Sequence, residues 1–97
     1  MSKGIKILLL VLVSLSFSLS GCYYSSAMRE MKAADQMFSQ LKAADGAKLV
    51  PYEYCSAEQF LANAQREAAE SDYKQARVFA SQSRSASEAG LAGVKKK

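Results

Sequence analysis

From residue 27 onward, small and apolar side chains recur at alternating steps of four and three. That spacing leaves the chain little alternative to amphipathic helix. Ala27, Met31, Ala34, Phe38 and Leu41 form a first stripe, because residues so spaced share one face of a helix with about 3.6 residues per turn. Arg29, Glu30, Lys32, Asp35 and Lys42 lie mostly off it. Tyr54, Ala57, Leu61, Ala64 and Ala68 form a second stripe, joined by Phe60, and Tyr73, Ala76, Ala80 and Ser83 form a third, with Phe79 and Ala86 beside it. Most of these residues are alanine or serine. Small side chains let helix backbones approach closely but bury little area each, so the expected core is thin and the domain only marginally stable on its own.

The breaks between stripes carry their own chemistry. Asp45-Gly46 is expected to end the first helix, with Gly46 as the left-handed residue beyond its end. Pro51 suits a first helical position, where its missing N–H costs nothing. Ser56 and Gln59 offer a competing start with capping-box spacing, but the stripe already includes Tyr54, which favours Pro51. Ser71-Asp72 provides a polar cap for the third helix. Gly90 and Gly93 are expected to fray its end. The predicted fold is therefore all-α. It is a three-helix antiparallel bundle over residues 27–92 whose last two helices form a repeat-like hairpin, followed by a basic tail, 93–97. At 97 residues the chain has room for one such domain.

Residues 1–21 have the layout of a secretion signal. Lys3 and Lys6 make a positive start, residues 7–13 are an unbroken apolar run, and serines then alternate with Leu15, Phe17 and Leu19. As a helix, residues 7–21 would cover about 22 Å at 1.5 Å per residue, short of a hydrocarbon core of roughly 30 Å. The segment closes on Leu19-Ser20-Gly21-Cys22, which resembles a bacterial lipobox. That resemblance implies a diacylglyceryl group on the Cys22 thiol, cleavage between Gly21 and Cys22, and palmitate-type acylation of the new amino group. Two or more chains anchor a protein stably where one does not. The rival reading is an ordinary secretion signal with a structural Cys22. Residues 22–26 are expected to be a short lipidated tether. By analogy with enterobacterial lipoproteins, Tyr23 in place of aspartate after the cysteine favours the periplasmic face of the outer membrane.

A wider resemblance covers most of the remaining chain. Residues 44–54 (ADGAKLVPYEY), then Ala57-Glu58-Gln59-Phe60-Leu61 and Ala64, and later Ser71-Asp72-Tyr73-Lys74-Gln75-Ala76-Arg77 with Ala80, resemble the bacterial lipoproteins grouped as domain of unknown function 4398. That resemblance implies a short helical envelope lipoprotein, sometimes joined to a peptidoglycan-binding domain of the OmpA type. It brings no catalytic residues, since no activity is established for that group. Asp72-Tyr73, Ala76 and Ala80, with Ala64 upstream, also look like one tetratricopeptide repeat, in which small alanines let two antiparallel helices nest. One repeat is too few for a solenoid.

Composition removes most chemistries. The chain has no histidine, so neither a Ser-His nor a Cys-His pair nor a Cys/His zinc site can be assembled. The acidic residues are dispersed and no glycine-rich phosphate loop occurs. Without Lys3 and Lys6 there remain 11 basic and 9 acidic residues, with three of the positives at the very end and no basic face for nucleic acid. No enzyme activity, metal or cofactor is expected.

Cys55 would be the one thiol left once Cys22 is lipidated. It is read as a small, partly buried helix residue, with an intermolecular disulfide or a redox thiol as alternatives. Tyr52, Tyr54, Phe60, Tyr73 and Phe79 are read chiefly as large fillers of an alanine-rich core, with an exposed binding patch as the alternative, and Arg66, Lys74, Arg77 and Arg84 as solvated faces. The Lys95-Lys96-Lys97 end allows a frayed solubilising tip, electrostatic contact with anionic lipid or cell-wall polymer, or attachment of Lys97 to peptidoglycan, as in short helical lipoproteins of the Braun type. The expectation is a lipid-anchored structural or interaction module with an envelope protein partner. Peptidoglycan tethering and Cys55 redox chemistry are its rivals.

Overall fold

A computed structural model describes residues 2–97, with the side chains of residue 2 and of residues 16–22 outside the described set. The chain is all-α, and no strand occurs among the described residues. Helix α1 spans Ser2–Ala43, α2 is the single turn Gly46–Leu49, α3 spans Pro51–Ala69 and α4 spans Tyr73–Lys95.

The pairings fix the topology. Ser26 meets Arg77 and Leu41 meets Gly90, so α1 and α4 run parallel. Ser83 reaches Ala57, and Phe60 faces Phe79, so α3 runs antiparallel to α4. Helix α4 packs closely along both α1 and α3, whereas α1 and α3 touch each other less. The stripes legible in the sequence form this seam: Ala27, Ala34, Ala57, Ala64, Ala76 and Ala80 are fully buried.

The core is thin, as an alanine seam requires. Leu41 is the largest fully buried side chain among the described residues, with Val50 and Leu61 nearly fully buried. Buried Ala34, Leu61, Ala64 and Ala80 make one cluster, and Leu41, Val50 and Ala57 another, with half-buried Phe38 packed against both. Two buried serines belong to the α4 face. Ser83 Oγ donates to the Ala57 carbonyl at 2.7 Å, tying α4 to α3. Ser87 Oγ is buried without a hydrogen-bond partner.

Three local expectations are corrected. At the α1–α2 turn the left-handed residue is Asp45 (φ 65°, ψ 34°), not Gly46. Aspartate tolerates that conformation because its short polar side chain clears the backbone. Gly46 is small for a different reason: a Cβ there would lie 2.6 Å from Leu41 Cγ and 2.7 Å from its carbonyl oxygen. Secondly, Gly90 does not fray the helix. It is buried inside α4, which continues to Lys95, and a Cβ on it would stand 2.9 Å from Leu41 Cδ1. Thirdly, residues 23–26, expected to be a tether, are helical and continuous with α1.

Pro51 opens α3 as expected. Asp72 caps α4, its side chain accepting from the Gln75 N–H at 3.2 Å, after Ser71 takes a left-handed turn at φ 64°.

Candidate functional site

Helix α1 has two parts of opposite character. Residues 3–15 are exposed throughout, with Ile5, Ile7, Leu8, Leu9, Leu10, Val11, Leu12, Val13 and Leu15 showing 49–67% of their surface. None of them belongs to either core cluster. Among the described residues no helix is long and apolar enough to cross a membrane. Among the described residues the first to meet α4 is Tyr23, against Arg77, and the first fully buried one is Ala27. Cys22 and Gly21, where lipidation and cleavage are expected from sequence, fall between these two parts, and their side chains lie outside the described residues.

Immediately after Cys22 the chain is clamped. Tyr24 meets Tyr73 edge to face, with ring centroids 5.0 Å apart and planes at 87°. The Arg77 guanidinium lies 5.7 Å from the Tyr23 ring centroid, a cation–π distance. Arg77 Nη1 also donates to Ser26 Oγ at 3.3 Å. Further along the α1–α4 groove, Arg84 pairs with Glu30 at 3.3 Å. The other Glu30 carboxylate oxygen is buried without a hydrogen-bond partner. Sequence reading missed this clamp, although the adjacent Tyr23-Tyr24 pair was its visible signal.

The other sequence-picked residues disperse. Cys55 is a free, exposed thiol on α3, not the partly buried residue expected. It lines a shallow apolar depression with Tyr52, Ser56, Gln59 and Phe60. The aromatic residues are not a uniform core filling. Tyr52 is 79% exposed. Tyr54 packs on Phe38 at 5.0 Å between centroids, and Phe60 stacks on Phe79 at 6.4 Å, each of these rings half-buried. Of the expected solvated cations, Arg66, Lys74 and Arg77 are exposed and Arg84 is half-buried.

Lys97 lies at the end of the bundle opposite Cys22, because α1 and α4 run parallel. There Lys96 and Lys97 line a shallow depression with Tyr52, Glu53 and Pro51. Lys42 and Lys48 are exposed on the elements that close the same end. Cys55 and Lys97 therefore do not join Cys22 in one site. Among the described residues no group of three or more histidine, cysteine, aspartate or glutamate side chains is placed to hold a metal ion.

No family model matches the chain, and no curated protein or solved structure matches it either.

Proposed function

We propose that this chain is a bacterial envelope lipoprotein in which residues 1–21 are a cleaved signal peptide and Cys22 is acylated. The remainder is a non-enzymatic three-helix antiparallel bundle that docks an envelope protein from the periplasmic face of the outer membrane. The α3–α4 pair is its repeat-like hairpin, in line with the likeness of Asp72-Tyr73, Ala76 and Ala80 to a tetratricopeptide repeat, and the whole follows the resemblance to domain of unknown function 4398. One observation carries the reading. The apolar, exposed residues 3–15 of α1 all precede the lipobox and every buried residue among those described follows it, so cleavage before Cys22 would remove the former and spare the latter.

Intact-mass measurement on protein extracted in detergent from its native membrane tests this, with Cys22→Ala as control. The expected species begins at residue 22 and carries two or three acyl chains, which Cys22→Ala lacks. An unmodified chain, cut elsewhere or uncut, refutes it.

A second reading, tethering to peptidoglycan, is favoured by the position of Lys95, Lys96 and Lys97 at the end farthest from Cys22. It predicts that the protein stays with purified sacculi, and that it survives boiling detergent there only if Lys97 is covalently joined.

A further inference from the structure

We infer that the end of the bundle beside Cys22 is a membrane-seating surface. Tyr23, Tyr24 and Tyr73 rest in the phospholipid headgroup layer, and the bundle stands on that layer as a rigid post. The inference rests on the acylated-Cys22 reading and adds what holds the domain in place beyond the acyl chains.

The geometry allows little slack. Tyr23 and Tyr24 follow the anchor directly within unbroken helix, so Tyr24 is only about 3 Å from Cys22 along the axis at 1.5 Å per residue. Acyl chains in the hydrocarbon therefore bring these rings to the headgroup level. The rings cannot swing away, because Tyr24 is held edge to face on Tyr73 and Tyr23 lies against Arg77. Arg77 further ties the start of α1 to α4 through Ser26 Oγ. Tyr24 nevertheless leaves 49% of its surface open. Tyrosine, with an apolar ring and a hydrogen-bonding tip, is enriched where hydrocarbon gives way to water. A shallow depression lined by Tyr23, Ser71, Asp72, Tyr73 and Lys74 opens at the same end.

The charges select the kind of surface. Around the α3–α4 turn, Arg66, Lys74 and Arg77 are matched in number by Glu67, Glu70 and Asp72, so this end has no positive excess. The Asp72 side chain already accepts from the Gln75 N–H. The partner is accordingly a zwitterionic headgroup layer met by aromatic rings, not an anionic lipid patch met by cations. Seated this way, residues 22–43 of α1 hold the lysine tip about 32 Å from the anchor.

The chain has no tryptophan, so a single introduced indole reports its own depth. Full-length acylated Tyr24→Trp is extracted from membranes, its acylation verified by mass, and reconstituted in phosphatidylcholine vesicles with brominated acyl chains. Tyr52→Trp, at the opposite end, is the control. The expected result is loss of half or more of the Tyr24→Trp emission, no loss for Tyr52→Trp, and no change when anionic lipid is added. Tyr73→Trp repeats the measurement from the partner ring should Tyr24→Trp fold poorly. Acylated protein in which neither membrane-end indole is quenched more than Tyr52→Trp overturns the seat and leaves the lipoprotein reading standing. A sample without acyl chains and without quenching removes both.

Discussion

Gly90→Ala isolates the contact on which the α1–α4 seam turns. Gly90 has an ordinary helical backbone, with no glycine at positive φ among the described residues, so alanine is compatible with its φ and ψ. In an unhindered helix interior the change stabilises by about 1 kcal/mol. Here the new Cβ would lie 2.9 Å from Leu41 Cδ1, 3.0 Å from Leu41 Cδ2 and 3.2 Å from Glu53 Cβ. Leu41 is fully buried and cannot yield into solvent. Overpacking of this kind costs about 1–3 kcal/mol, so the net effect is destabilisation by roughly 0–2 kcal/mol after the propensity gain. Leu41→Ala removes both methyl groups that the Cβ meets. In that background only the 3.2 Å approach to Glu53 Cβ remains, and Gly90→Ala should reverse sign and stabilise by up to about 1 kcal/mol, offsetting part of the roughly 2–5 kcal/mol lost by emptying the Leu41 site. The four proteins are compared by urea unfolding, followed as helical circular dichroism, with trimethylamine N-oxide in every sample to keep the Leu41→Ala background folded. A coupling of about 1–3 kcal/mol between the two changes is expected. Gly90→Ala stabilising equally in both backgrounds would refute the argument that glycine stands there for space.

Two buried serines four residues apart on α4 should respond differently to alanine. Ser83→Ala loses the 2.7 Å bond to the Ala57 carbonyl and should destabilise by about 1 kcal/mol, whereas Ser87→Ala removes a buried hydroxyl without a partner and should be neutral or stabilising. Equal losses in thermal melts would show that Ser87 does have a partner. Asp72→Ala removes the α4 cap and should cost about 1 kcal/mol, with Asp72→Asn recovering most of it; no loss in urea unfolding would mean that the cap contributes nothing. The exposed Cys55 thiol should react fully with a maleimide in the folded protein, and labelling only after denaturation would contradict its exposure. Lys95, Lys96 and Lys97 replaced together by alanine should weaken sedimentation with sacculi, since contact with an anionic surface is worth about 1 kcal/mol per lysine; unchanged sedimentation would remove the electrostatic form of the tether.

Helical periodicity carried most of the fold. The stripes named from spacing are the buried faces: Ala34 and Leu41 on α1, Ala57, Leu61 and Ala64 on α3, Ala76, Ala80 and Ser83 on α4. Local chemistry placed the start of α3 at Pro51 and the cap at Asp72. The glycines misled because a glycine has two uses, positive φ and missing volume, and sequence shows only the residue. Gly46 and Gly90 are both of the second kind and both crowd Leu41, Gly46 across the α1–α2 turn and Gly90 from far along the chain, and neither crowding shows in the residue type. Burial of single aromatic residues failed similarly. Tyr52 precedes the packed face of α3 and points outward, while Tyr73 finds Tyr24, far away in sequence, as its partner. The continuity of α1 through residues 23–26 was hidden because Tyr23-Tyr24-Ser25-Ser26 has weak helix propensity of its own. Contacts with Tyr73 and Arg77 override it.

The thinness of the molecule bears on how it would dock. The grooves among the described residues are shallow, and the exposed aromatic surface at Tyr52 and Phe60 is small. Such a surface offers few buried anchors, and affinity follows anchors more than area. A protein held on a membrane does not need high intrinsic affinity for a partner in the same space, because tethering raises effective concentration toward the millimolar range. A rigid attachment strengthens the argument. A flexible linker spreads a binding face over every orientation, whereas a helix that enters the bundle unbroken and is clamped at Tyr24 presents one face at one height. Inserting Gly-Gly-Ser-Gly-Gly between Ser25 and Ser26 would keep the acyl anchor proposed at Cys22 and release the orientation. Partner capture that survives this insertion in membranes would show that tethering alone suffices, and capture that falls with it would show that the rigid entry of α1 is part of the recognition.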